Sequence, residues 1–139
     1  MTAEPVTVTA AATVGRARDL LETRGVRHLP VVDSHTHVVG IVSNRDVAIT
    51  DAMLRAALRQ HDVAALLDDD RTVEAVMSPA PQTIDMDAPI EDAARVFASQ
   101  RISALPVVDD DRRVIGILTT TDCLLAVLQD ADRTSQGPR

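Results

Sequence analysis

Two four-residue segments combine a hydroxyl and a carboxylate at a spacing that matters at the start of a helix. In Ser43-Asn44-Arg45-Asp46 and Thr119-Thr120-Thr121-Asp122 the acid follows the hydroxyl by three residues. At a helix start this is a capping-box pattern, in which the hydroxyl accepts from an orphan backbone amide and the acid reaches back to another. Capping boxes usually carry Glu or Gln at the third position, whereas both segments here carry Asp. The same geometry has a second chemical use. Amides at the positive end of a helix attract an anion such as phosphate, and a nearby Asp accepts both hydroxyls of a ribose. Cap and ligand site thus remain alternative uses of one local pattern.

Other polar residues offer less. Arg27 and His28 read as exposed loop residues or as part of a site. Asp33, His35 and His37 alternate in the way strand residues share a face, and Asp and His are common zinc ligands. A hairpin turn is the simpler reading, because no fourth ligand is evident. His61 has no partner in sequence, and Cys123 reads as a small core residue within a helical pattern. Gly-x-Ser-x-Gly, Walker and His-Glu-x-x-His motifs are absent from the sequence, which disfavours an enzyme.

Composition narrows the partners. A formal charge of −7 argues against nucleic acid, whose phosphates need a surplus of positive charge. The 14 basic residues are all arginine, so a bound phosphate would meet guanidinium forks, backbone amides or hydroxyls. No apolar run approaches the length of a membrane span and the N-terminus lacks a signal-peptide pattern, so we expect a cytoplasmic protein without membrane contact. A single cysteine rules out an internal disulfide. With a hydrophobic fraction of 45% and one aromatic residue, Phe97, the core must be aliphatic.

The chain is two copies of one unit. Leu29-Pro30-Val31-Val32-Asp33 recurs as Leu105-Pro106-Val107-Val108-Asp109, and a constant offset of 76 also relates Gly40 to Gly116 and Asp46 to Asp122. From Val26 to Asp46, nine of 21 positions are identical without a gap. Val14, Ala17, Leu20 and Leu21, like Ile90, Ala93, Ala94 and Phe97, recur at helical spacing. The β-branched runs after them, separated by polar turn residues, predict a hairpin. Helical spacing returns at Val47, Met53, Leu54, Ala57 and Leu58, and at Leu124, Leu125 and Leu128. Each copy therefore reads as short strand, helix, two strands, helix, with the short strand at Val6–Thr9 or Gln82–Asp85. The expected boundaries are 1–59 for the first repeat, 60–72 for a structured linker holding Asp68-Asp69-Asp70, 73–133 for the second repeat, and 134–139 for a frayed tail. Val73, Val76 and Met77 predict a short lead-in helix for the second copy, with no counterpart ahead of the first, so that part of the first cleft would be open.

These features resemble the CBS-domain (cystathionine-β-synthase domain) family in its paired, stand-alone form. The resemblance rests on Leu-Pro-Val-Val-Asp, on the Gly-hydrophobic-hydrophobic-Ser/Thr-x-x-Asp segment, and on Val76-Met77-Ser78-Pro79 leading into the second copy. It implies an α/β (α+β) fold of two pseudo-symmetric β-α-β-β-α repeats packed as one module, with clefts between them for AMP, ADP, ATP or a related adenosyl compound. It implies no catalysis and no cofactor, but a regulatory module, a homodimer, and an effector protein that reads the bound state. The nucleotide residues it implies are Arg27, His28, Pro30, Ser43, Arg45 and Asp46, with Thr83, Ile84, Ala104, Pro106, Thr119, Thr121 and Asp122. On this reading one cleft holds Arg27, His28 and Arg45, and the other holds small residues and three threonines. A scaffold with empty clefts and a metal-responsive sensor are the alternatives from other classes. Apolar faces on helices such as Asp51–Arg59 predict the homodimer.

Overall fold

The repeat seen in the sequence reappears strand by strand in the computed structural model, which describes residues 2–59 and 71–135. The first copy contributes β2 (Val8–Thr9), α1 (Val14–Arg24), β3 (His28–Val32), β4 (Val38–Ser43) and α2 (Asn44–Arg59). The second contributes β6 (Ile84–Asp85), α4 (Ile90–Gln100), β7 (Ala104–Val108), β8 (Val114–Thr119) and α5 (Thr120–Ser135). Each copy is thus the expected β-α-β-β-α unit. The short strands are two residues long because the parallel pairing holds only Val8 to Val31 and Thr9 to Val32, and Ile84 to Val107 and Asp85 to Val108. Helix α5 continues through Thr134 and Ser135, which the sequence reading assigns to a tail. Most of the 60–72 linker, with Asp68-Asp69-Asp70 and His61, lies outside the described residues, as do residues 136–139.

Two more strands exchange between the copies. β1 (Thr2–Ala3), from the N-terminus, pairs with β8 of the second copy, Thr2 opposite Ile117 and Ala3 opposite Gly116. β5 (Ser78–Pro79), which leads into the second copy, pairs with β4 of the first, Ser78 opposite Ile41 and Pro79 opposite Gly40. These registers are related by the same offset of 76. Two four-stranded sheets result, with orders β1-β8-β7-β6 and β2-β3-β4-β5. Pro79 is tolerated because β5 is an edge strand. A two-residue strand carries no periodicity, so the sequence did not reveal the exchange.

The short helix α3 (Val73–Val76), which leads into the second copy along the chain, packs on the core of the first. Its side chain Val73 is fully buried with Val8, Val14, Leu29 and Val42 of the first copy, and Val76 and Met77 pack on that core. The backbone follows: Val14 N–H donates to Arg71 O at 2.8 Å, and Val73 N–H to Ala12 O at 2.8 Å. Gly40 has no side chain because Met77 occupies the space, its Cγ 3.0 Å from where a Cβ would stand. The second copy packs its own cluster around Ala93, Leu105, Val107 and Leu118, and Val32, Val108 and Val114 with Val38 form a third core joining the two copies.

The backbone repeats even where residue types do not. Positive φ occurs at Glu4 and Ala80, Gly25 and Arg101, and Thr36 and Arg112, each pair 76 apart. Gly25 ends α1 in a left-handed conformation at φ 61, with its N–H bonded to Glu22 O and Leu21 O. Arg101 takes the same role after α4 at φ 52. A non-glycine residue there costs roughly 1 kcal/mol. The turn is thereby kept while a guanidinium is gained.

Candidate functional site

The hairpin ends of the two copies touch, His37 bridging to Arg113 and Val114 N–H donating to Thr36 O at 3.0 Å. At the opposite strand ends the copies leave two clefts. The first, about 450 Å³, is lined by Glu4, Pro5, Val6, Gly25, Val26, Arg27 and His28 from the first copy, and by Ser103, Ile117, Thr119, Thr120 and Thr121 from the second. The second, about 360 Å³, is lined by Ile41, Ser43, Arg45 and Asp46 with His28, and by Ser78, Pro81, Gln82, Gln100, Arg101, Ile102, Ser103 and Ala104. Both volumes lie in the range of small-molecule sites. Pro5 and Pro81, Val26 and Ile102, Ile41 and Ile117, and Ser43 and Thr119 occupy matching places, so the clefts share an aliphatic surface beside a helix start.

This arrangement corrects the expected grouping of charges. Arg27 faces the threonines and Arg45 sits with Ala104 in the other cleft, while His28 and Ser103 border both. Each cleft takes its helix start from one copy and its β3 or β7 lead-in from the other, so residues close in sequence separate. Arg101 and Gln82 also line the second cleft, at positions where the first has Gly25 and Val6. Sequence reasoning missed them, and also Glu4, Pro5, Val26, Ile117 and Ile102. Only the exchange of segments brings the residues around Glu4 and Pro81 to these walls.

Not every expected residue reaches a cleft. Pro30 and Pro106 are fully buried in the sheets, where an interior strand side chain has no access to ligand. Ile84 belongs to the second core, and Thr83 accepts from the Arg112 guanidinium at 3.3 Å, away from both clefts. Asp46 lines the second cleft; the equivalent Asp122 lies one residue beyond the threonines that line the first.

At both helix starts the capping box closes. Ser43 N–H and Oγ–H donate to Asp46 Oδ2 at 2.8 and 3.0 Å, and Asp46 N–H donates back to Ser43 Oγ at 3.2 Å. Thr119 and Asp122 repeat this at 2.9, 3.1 and 3.2 Å. In each copy the first two bonds converge on Oδ2, fixing the carboxylate at the helix start. Asx turns explain the other candidate cluster: Asp33 Oδ1 accepts from His35 and His37 N–H at 2.8 and 3.0 Å, as Asp109 Oδ1 does from Asp111 and Arg113 at 2.9 Å each. His37 Nδ1 stands 3.7 Å from Asp33 Oδ2.

His28 stands between the clefts, half-buried, with Nε2 3.2 Å from Ser103 Oγ. Burial lowers its pKa most; the Asp46 carboxylate opposes this, Arg27 adds to it, and the net shift is downward. The imidazole is therefore neutral near neutral pH. Cys123 is buried beside Asp122, and both burial and that charge push its thiol up, away from reactivity.

Comparison with known proteins matches this geometry. The CBS domain model matches residues 1–52 and 73–129. The chloroplastic CBS domain-containing protein CBSX2 of Arabidopsis thaliana is 32% identical over 134 residues, covering 84% of this chain and 56% of its own length. The L-aspartate semialdehyde sulfurtransferase of Methanocaldococcus jannaschii is 32% identical over 118 residues, which are 85% of this chain and 20% of that enzyme. The chain thus spans between a fifth and somewhat over half of these relatives. Among solved structures, CBSX2 in complex with AMP aligns with TM-score 0.74 at 30% identity, covering 94% of both chains. The CBS domain pair of protein MJ0100, in complex with 5-methylthioadenosine and S-adenosyl-L-methionine, aligns with TM-score 0.70 at 32% identity, covering 88% of this chain and 91% of that one. Repeat, fold and clefts agree with these matches, and the chain belongs to the CBS-domain family as a tandem pair.

Proposed function

We propose that this chain is a non-catalytic regulatory module that binds an adenosine-containing ligand such as AMP, ADP or ATP in its inter-repeat clefts. One observation carries the reading: each cleft joins an aliphatic surface to a capped helix start and at least one guanidinium, the three environments that an adenine, a ribose and a phosphate require. Arg27, His28, Thr119 and Thr121 serve the first cleft, with Asp122 positioning Thr119. Ser43, Arg45, Asp46, Arg101 and Ala104 serve the second. Ligand complexes of CBSX2 and of the MJ0100 domain pair support the choice of ligand class.

The output is read through protein contacts. Leu124, Val127 and Leu128 of α5 are 64%, 65% and 61% exposed, and Ile49 and Met53 of α2 are also exposed, so a homodimer covers what one chain leaves bare. An effector protein then senses the liganded dimer. Among the described residues no helix is long and apolar enough to cross a membrane. The lone Cys123 suits a reducing compartment such as the cytoplasm.

The test is direct because the chain has neither Trp nor Tyr. Any co-purified purine dominates the ultraviolet spectrum of the purified protein. Stripped protein is expected to melt at higher temperature with AMP, ADP or ATP, with micromolar to millimolar affinity, since a ligand selective for the folded state stabilises it. A flat response to all three, from protein shown empty by mass spectrometry, favours a scaffold.

A further inference from the structure

Among the described residues, His28 is the one histidine that lines both clefts. The position equivalent to it, Ala104, lines only the second, so this feature breaks the pseudo-twofold symmetry. Its imidazole is tied to the opposite copy through Ser103 Oγ at 3.2 Å, and Ser103 also borders both clefts. Charged groups face it from both sides. Arg27, next to it in sequence, and Glu4 line the first cleft; Arg45 and Asp46 at the start of α2, and Arg101 after α4, line the second.

We propose that His28 is a common wall through which occupancy of one cleft alters binding in the other. The inference rests on the nucleotide-binding reading above. An imidazole has two nitrogens and room for one added proton, so it cannot answer two ligands independently. A phosphate in either cleft brings negative charge towards a ring that burial keeps neutral, and this favours protonation. Once the ring has taken its proton and turned to one ligand, the second ligand meets a wall already charged and oriented. Linkage makes this effect reciprocal between the clefts.

The experiment follows the His28 ring by NMR during titration of the full chain with AMP. Four histidines make the spectrum simple, and His28→Ala assigns the resonance by its disappearance. Alanine stands at the equivalent position in β7, so the fold has a local precedent for it. The expected parent result is a His28 signal that moves in two stages and a ring pKa that rises with the first ligand. Arg45→Ala, which weakens the second cleft, should leave one stage. Calorimetry of His28→Ala should show both binding steps changed severalfold, and a ligand stoichiometry still above one. A His28 signal that follows one binding step only, or a His28→Ala protein that loses affinity in one step only, overturns the common wall while leaving nucleotide binding intact. No heat and no shift of any resonance with AMP overturns both.

Discussion

Asp46 and Ser43 hold each other reciprocally, Ser43 N–H and Oγ–H on Asp46 Oδ2 at 2.8 and 3.0 Å and Asp46 N–H on Ser43 Oγ at 3.2 Å. The pair caps α2 and at the same time fixes a carboxylate on the wall of the second cleft. Capping and ligand binding are therefore separable only by two different readouts of one substitution.

Asp46→Asn keeps an acceptor at the helix start and loses its charge, so stability should fall by about 1 kcal/mol or less. If the carboxylate holds ribose hydroxyls, AMP binding in the second cleft should weaken by roughly 1.5 to 3 kcal/mol, or ten- to a hundredfold. Melting curves and calorimetry on the same preparation measure both. A variant that melts lower yet binds as well as the parent would assign Asp46 to capping alone. Asp122→Asn is the companion experiment; because Asp122 stands one residue beyond the first cleft's lining, its effect on affinity should be smaller than that of Asp46→Asn.

Arg27→Ala and Arg45→Ala should affect different binding steps, since Arg27 lines the first cleft and Arg45 the second. Removing one charged hydrogen-bonding partner of a phosphate should cost roughly tenfold in that step. Stepwise calorimetry of the single and double variants checks this. If both substitutions weaken the same step, the crossed assignment of residues to clefts is wrong.

The lowered His28 pKa makes a signed prediction about pH. The folded state resists protonation, so as pH falls below the ordinary imidazole value of 6.5 the unfolded chain takes up the proton first and is favoured. Stability from this source is intact above that value and declines through the window down to the folded pKa. Going from about pH 7 to about pH 5, the parent should therefore lose more stability than His28→Ala, in which the penalty is absent. Denaturant titrations at the two pH values decide it, and equal losses would count against a buried neutral imidazole.

Val73→Ala should destabilise the protein by about 1 to 3 kcal/mol, because Val73 is fully buried in the core of the first copy. Hydrogen exchange should show the lost protection chiefly in α1, β3 and β4, the elements around that core. Weakening confined to α4 and β7 would return α3 to the second copy.

Val127→Glu with Leu128→Glu places charge on the most exposed apolar stretch of α5 and should dissociate the proposed dimer. Light scattering should give a mass near twice 14.9 kDa for the parent and near 14.9 kDa for the variant. A parent that scatters as a single chain at micromolar concentration would refute the dimer.

The repeat, the order of elements in each copy and the two capped helix starts are legible in the amino-acid sequence alone. Those features are local: helical spacing of Val14, Ala17 and Leu21, a hairpin turned by Asp33, and a hydroxyl three residues before Asp46 all act within a few residues of chain. The exchange of β1 and β5, the burial of Val73 in the first copy and the crossing of Arg27 to the threonines were decided only in three dimensions. Sequence distance carries no record of which distant segments will share a wall. Two-residue strands lack periodicity, and the pseudo-twofold packing that places His28 against Ser103 depends on the summed burial of both sheets.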